Sequence, residues 1–233
     1  MSPAARASPD QPHARGVCED PTAPPPWSAP APLPSDFESA RLRLRFWTPE
    51  DAPAMLEAIN VDRRSFLPWL PWVKVDNRTE EECAAAIERM RQRRERTEPA
   101  PDDFTLGIFD RSTGGVVGGT GLHRILHSWH EGEIGYWIRP DLRRRGLCAE
   151  AVAGLIDWAF RPQGEGGWGL RRLHIRCAGS NDSSMRVPRS LGLRQEGRLV
   201  QERWTEGIGW DDTLVWGVCA GEWPGIRPNT PTP

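Results

Sequence analysis

The chain has 233 residues, with 30 basic and 32 acidic side chains and a formal net charge of −2. That balance gives no whole-chain electrostatic reason to bind nucleic acid. A mean hydropathy of −0.58 and the lack of any run of about 18 apolar residues exclude an expected membrane-spanning helix. No apolar stretch near the N-terminus resembles a secretory signal, and the five cysteines are widely spaced with no C-x-x-C pair. Both features fit reduced thiols in a cytoplasmic protein. Lys74 is the only lysine and Tyr136 the only tyrosine, against 12 tryptophans. Such an arginine excess reads first as codon bias.

Ten of the 23 prolines fall in residues 1–36 and four more in 224–233. Segments so poor in apolar side chains cannot offset their ordering entropy, so 1–36 is expected to be a disordered Pro-rich tail and 224–233 a flexible one. The folded domain is then 37–223. Within it, Leu42, Leu44 and Phe46 alternate with arginines, a strand with one buried face. Thr48-Pro49-Glu50-Asp51 supplies a helix start, and Ala52, Met55, Leu56 and Ile59 follow at helical spacing. Phe66-Leu67-Pro68-Trp69-Leu70-Pro71-Trp72 holds two prolines and three aromatics, so a loop is expected. Thr79-x-x-Glu82 is a capping box opening a second helix toward Glu98. Its six arginines and six glutamates over 78–98 read as a salt-bridged exposed face rather than an RNA-binding one.

Short strands are expected at 104–109, 116–122 and 133–138. The clearest helix follows, with Cys148, Ala151, Val152, Leu155, Ile156 and Ala159 at a 3.6-residue period. A strand at 172–177, a short helix near 182–191 and two strands near 193–204 and 213–219 complete a mixed α/β chain of seven strands. His123, His127 and His130 are expected in a loop beside the site; their irregular spacing argues against a metal centre.

Between the strand at 133–138 and the strong helix lies Arg143-Arg144-Arg145-Gly146. A basic, glycine-containing turn into a helix N-terminus presents unpaired N–H groups to an anion. The same residues also suit a plain strand–helix turn with a solvated basic surface, and local physics does not separate the two. The other glycine-rich run, Gly114–Gly121, carries neither a G-x-x-x-x-G-K-[ST] nor a G-x-G-x-x-G pattern and reads as a hairpin with permissive glycines.

Arg143-x-x-Gly146-x-Cys148 resembles the acetyl-CoA signature (Q/R)-x-x-G-x-(G/A) of the GNAT superfamily of N-acetyltransferases. The flanking Glu133-Ile134-Gly135-Tyr136-Trp137, Cys148-Ala149-Glu150-Ala151, Asn181-x-x-Ser184, the 67–72 loop and Glu222-Trp223 are similar to the branch of ribosomal-protein N-terminal serine and alanine acetyltransferases. The resemblance spans roughly 41–223. It implies a GNAT-like α/β (α+β) fold: a mixed, mostly antiparallel central sheet of about seven strands, flanking helices, and a cleft where the family's strands 4 and 5 splay.

The resemblance also implies acetyl-CoA as cosubstrate and no metal. Its pyrophosphate is expected on Arg143, Arg144, Arg145, Gly146, Leu147, Cys148 and Ala149. Pantetheine is expected against Ile134, Tyr136, Trp137 and Ile138, with 176–178 across the cleft and Asn181 at its edge. The implied reaction is acetyl transfer to a primary amine, on a protein or peptide N-terminus or a small molecule, by direct attack on the thioester. Glu133 is the candidate base, directly or through water; as a bland alternative it pairs with an arginine. The family's usual acidic tyrosine is missing from the helix after its fifth strand, which leaves Ser184, or water, to protonate the thiolate. Asn181 would cap that helix, and both Asn181 and Ser184 suit plain capping. Pro188, four residues after Ser184, is expected to distort the helix. Cys148, at a helix N-terminus, is expected to have a lowered pKa and so to act as an oxidation-sensitive gate. A non-catalytic acyl-CoA-binding or regulatory module of the same fold is the alternative function. No membrane or nucleic-acid partner is expected, and a homodimer is left open.

Overall fold

A computed structural model describes residues 23–225. Chain order gives strands β1 (Asp36–Glu38) and β2 (Leu42–Phe46), then helices α1 (Ala52–Asn60), α2 (Trp72–Val75) and α3 (Glu80–Glu95). Strands β3 (Phe104–Asp110), β4 (Val116–Leu126) and β5 (Glu131–Ile138) precede helix α4 (Leu147–Phe160). Strand β6 (Arg172–Ala178), helix α5 (Asp182–Ser190) and the long hairpin β7 (Arg194–Thr205) and β8 (Gly209–Cys219) follow. The strands form one eight-stranded sheet in the order β1-β2-β3-β4-β5-β6-β8-β7. Every pairing is antiparallel except β5 with β6.

Helices cover both faces, and the sheet's alternation sends side chains to one or the other. On one face, Ala151, Val152, Leu155, Ile156 and Ala159 of α4 pack with Leu44, Leu106, Ile134 and Ile175 from the strands. These side chains are fully or almost fully buried, so cutting Leu155 back to alanine costs about 2–5 kcal/mol. On the other face, Met55 and Ile59 of α1 and Cys83 and Ile87 of α3 meet Trp47, Phe109 and Val116. Thr79 caps α3 by accepting from Glu82 N–H; Arg78 just before the helix pairs with Glu82, and Arg91 within it with Glu88 and Glu95, the expected exposed ionic face.

The structure departs from the sequence reading at the N-terminus. Trp27 is only 4% exposed. Its ring stacks on Trp168 and meets Phe104 edge-on. Its indole N–H donates to the Trp168 carbonyl at 2.7 Å and its backbone N–H to the His127 carbonyl at 2.8 Å. The segment expected as a tail through residue 36 therefore joins the core from Trp27, and its end forms β1, the eighth strand. One stacked and one edge-on aromatic contact offset the entropy that proline-rich composition alone could not. The rest of that tail, 1–22, and 226–233 lie outside the described residues. The 66–72 loop is short-turned and ends in α2. Phe66 is buried, and Phe66 and Trp72 both pack edge-on against Trp137 of β5. An ion pair from Lys74 to Glu206 ties α2 to the tip of the β7–β8 hairpin.

Candidate active site

The parallel ladder between β5 and β6 has three pairs and stops at Glu133↔His174. Beyond it, β5 stays paired with β4 as far as Ile138↔Gly118, and β6 with β8 as far as Ala178↔Thr213. The two strands thus part from Ile134 onward, and each offers an unused backbone edge to the gap. β5 then feeds the turn that starts α4. Gly146 is the N-cap residue at φ 74°, and Arg144 also has a left-handed φ of 63°. A side chain at Gly146 would strain that conformation. The first helical bond runs from Glu150 N–H to the Gly146 carbonyl at 3.0 Å. The amides of Leu147, Cys148 and Ala149 precede the ladder, as at any helix start, and so have no partner within the helix.

The arginines of the turn divide. Arg143 turns back, donating to Ser65 Oγ at 3.0 Å and lying over the Phe66 ring. Arg145 donates to the Asp141 carbonyl and its own carbonyl accepts from Arg41, which also pairs with Glu150. Arg144 is exposed and has no ion pair among the described residues. The expectation for Cys148 is corrected: burial pushes its thiol up to about 12. Desolvation outweighs the favourable helix end, so the thiolate needed for easy oxidation is suppressed.

Ser184 lies in the first turn of α5, where the Asn181 side chain accepts from the Ser184 N–H at 3.1 Å. Asn181 is therefore a helix cap, with its carbonyl oxygen committed. Pro188 does not break α5, which continues to Ser190. Its missing N–H leaves the Ser184 carbonyl without the usual helical donor. That carbonyl instead accepts from the Tyr136 hydroxyl at 2.9 Å, while Ser184 Oγ donates to the same hydroxyl oxygen at 3.2 Å. The only tyrosine comes from β5 rather than from the helix, and its hydroxyl reaches Ser184. Burial raises the Tyr136 hydroxyl well above the usual phenol range, so it stays protonated.

The opposite face of β5 is charged. Glu133 is 7% exposed, and Arg124 forks onto its carboxylate with one contact at 3.0 Å. His174 Nε2 lies 3.3 Å from Glu133 Oε2. His174 Nδ1 lies 2.9 Å from Glu131 Oε1, out of line for a hydrogen bond. Burial alone would raise the Glu133 carboxyl, but His174 and Arg124 outweigh it and pull it down to about 2. The carboxylate is thus held as an anion by its partners. His123 lies on β4 itself, opposite Glu133 in register, not in the loop expected for it. Its Nδ1 is 3.2 Å from Asp103 Oδ1. His127 and His130 instead bond to the carbonyls of Pro101 and Pro25, structural contacts away from the cleft. Asp103, Arg124 and His174 carry no signal in the sequence that marks them as site residues.

The family model described as an acetyltransferase (GNAT) domain matches residues 41–194, more than half of the chain. A Bacillus subtilis (strain 168) protein named "Putative ribosomal N-acetyltransferase YdaF" is 28% identical over 120 residues, 52% of this chain and 61% of that protein. The chain thus spans less than two thirds of the length of the curated relatives it matches. Ribosomal-protein-S5-alanine acetyltransferase from Vibrio fischeri superposes with a TM-score of 0.68 at 21% identity, over 81% of this chain and 98% of that one. Mycobacterium smegmatis RimJ, solved with CoA-disulfide, has a TM-score of 0.67 at 22% identity, over 85% of this chain and 88% of its own. These two likenesses show the fold. The family match, which runs from β2 through the Gly146 turn to the end of α5, shows that the chain belongs to the GNAT acetyltransferase family.

Proposed function

We propose that the protein is an acetyl-CoA-dependent N-acetyltransferase of the cytoplasm whose acceptor is a primary amine, with a protein or peptide N-terminus as the first candidate. The observation that carries this reading is the parting of β5 from β6 just where β5 leads into the Gly146 turn. One anion-binding helix start and one open strand edge are what a nucleotide-tailed thioester requires. The relatives named as ribosomal N-acetyltransferases support the choice of acceptor.

Acetyl-CoA, as cosubstrate, supplies the activated acyl group. In this reading the amides of 143–149 hold its pyrophosphate, and Arg144 adds an unpaired positive charge. The edge of Ile134, Tyr136, Trp137 and Ile138, faced by 176–178 and Asn181, binds the pantetheine amides. A free N–H on that edge polarises the thioester carbonyl and stabilises the oxyanion formed as the amine attacks. Ser184 then gives its proton to the departing sulfur, and the Tyr136 hydroxyl beside it replaces the lost hydrogen bond. Glu133, flanked by Arg124 and His174, fixes the electrostatics of the acceptor side.

Release of free CoA from acetyl-CoA across a panel of peptide N-termini and small amines tests the reading. Amine-dependent release is expected. Binding of acetyl-CoA with no turnover on any acceptor would identify the chain as a non-catalytic module instead.

A further inference from the structure

We propose that the proton of the incoming amine is taken by His123 Nε2, with Asp103 orienting the ring. The proposal rests on the N-acetyltransferase reading and names the base that reading requires.

Three features of position converge on this imidazole. First, its ring lies flat across two facing glycines. Gly121 and Gly135 are cross-strand partners. A Cβ built on Gly121 would sit 2.8 Å from His123 Cε1 and 2.9 Å from Nε2, and one on Gly135 would sit 3.2 Å from Cδ2 and 3.3 Å from Nε2. A side chain at Gly121 would displace the ring, and one at Gly135 would press on it. Second, Gly135 is two residues past the last β5–β6 pair, so the ring lies at the level along β5 where the two strands have parted. Third, Asp103 stands beside Nδ1. A carboxylate can only accept, which favours an N–H at that nitrogen and, in the neutral ring, a lone pair on Nε2. Among the described residues no hydrogen-bond partner occupies Nε2.

The surroundings keep the couple in that state. Asp103 also accepts from Thr105 Oγ1 at 2.9 Å. Burial would raise its carboxyl, but contacts with His123 and Thr105 and the charge of Arg93 on α3 lower it, so it remains an anion. Glu133 from β5 stands across from His123, already engaged by Arg124 and by His174 of β6, with Glu131 behind. Immediately after His123 the β4–β5 register slips, and Arg124 takes a left-handed φ of 49°. That bulge turns the Arg124 guanidinium onto Glu133. A locally strained backbone conformation of this kind is tolerated where the surrounding contacts define it. The carboxylate is thereby neutralised by its own partners, and the imidazole beside it is the available lone pair.

The step balances as follows. Between ammonium and amide the acceptor nitrogen gives up two protons. His123 Nε2 takes the first and passes it to solvent, freeing the nitrogen lone pair to form the C–N bond. The C–S electron pair leaves with sulfur, which takes the Ser184 proton. The second nitrogen proton leaves through water and restores Ser184.

Steady-state kinetics of the full-length chain, with an acceptor found by CoA release, test this assignment. His123→Gln is expected to lower kcat/KM by about 100-fold or more, with the Kd for acetyl-CoA unchanged within about twofold. The deficit should shrink as pH approaches the pKa of the acceptor, and shrink again with a weakly basic amine that is neutral at the assay pH. A merely structural histidine would show neither recovery. Asp103→Asn should cost about tenfold, and Gly135→Ala, which keeps the imidazole but shifts it, a smaller loss of about threefold. Activity of His123→Gln within threefold of wild type, or an equal loss at every pH and with every acceptor, would overturn the proposal. Wild-type protein that turns over no amine would overturn the underlying reading and the proposal with it; an active wild type with an active variant removes the base assignment alone.

Discussion

The two faces of β5 solve opposite problems with opposite chemistry. Tyr136 and Ser184 form a neutral hydroxyl pair on the α4 side, half-buried beside its apolar packing. Glu133, His123, Arg124 and His174 form an ionic group on the α1–α3 side. A thioester lying in the gap after Glu133 would have a proton donor on one face and proton acceptors on the other. Burial is what separates the roles. It keeps the phenol protonated on one side, while paired charges keep the carboxylates ionised on the other.

The sharpest way to break this division, after removal of the His123 imidazole, is to remove the hydroxyl side. Ser184→Ala should lower kcat by about 100-fold and Tyr136→Phe by about tenfold. The double variant should be hardly worse than Ser184→Ala, because the two groups act through one hydrogen bond. Independent, additive losses in kcat would show that Tyr136 acts without Ser184. Gly146→Val should instead weaken acetyl-CoA binding by about tenfold with little change in kcat for bound complex, since a β-branched residue resists the φ of 74°. Equilibrium titration with acetyl-CoA reads this directly.

Glu133→Gln tests the ionic side through stability. The Glu133 pKa lies near 2 in the folded chain against an ordinary 4.5. A depressed carboxyl stabilises the fold above its unfolded pKa, and the contribution fades as pH falls from about 4.5 to about 2. Wild type should therefore lose stability through that window more steeply than Glu133→Gln, as read by denaturant unfolding at each pH. Parallel curves would mean that Arg124 and His174 do not hold this charge. The smallest effect expected is that of Pro188→Ala. It restores a helical donor to the Ser184 carbonyl, competing with the Tyr136 hydroxyl, and should stabilise α5 by about 1 kcal/mol or less while lowering kcat a few-fold.

Much of the cofactor side is legible in sequence because its parts are contiguous. Strand, basic turn, Gly146 and the amphipathic α4 fall within about thirty consecutive residues, and each is set by local rules. The alternation along β5 likewise sends Glu133 and Trp137 to one face and Ile134 and Tyr136 to the other. What alternation leaves open is which strands become neighbours. His123 and Asp103 come from β4 and the approach to β3, and His174 from β6, so their meeting with Glu133 exists only once the sheet order is set. Trp27 hides in a segment whose proline content reads as unfolded, because aromatic stacking on Trp168 is a contact 141 residues away in sequence. Tyr136 and Ser184 show the limit most clearly. Their elements and faces follow from residue type and period alone. Their hydrogen bond needs α5 laid against β5, and a carbonyl that Pro188 cannot serve.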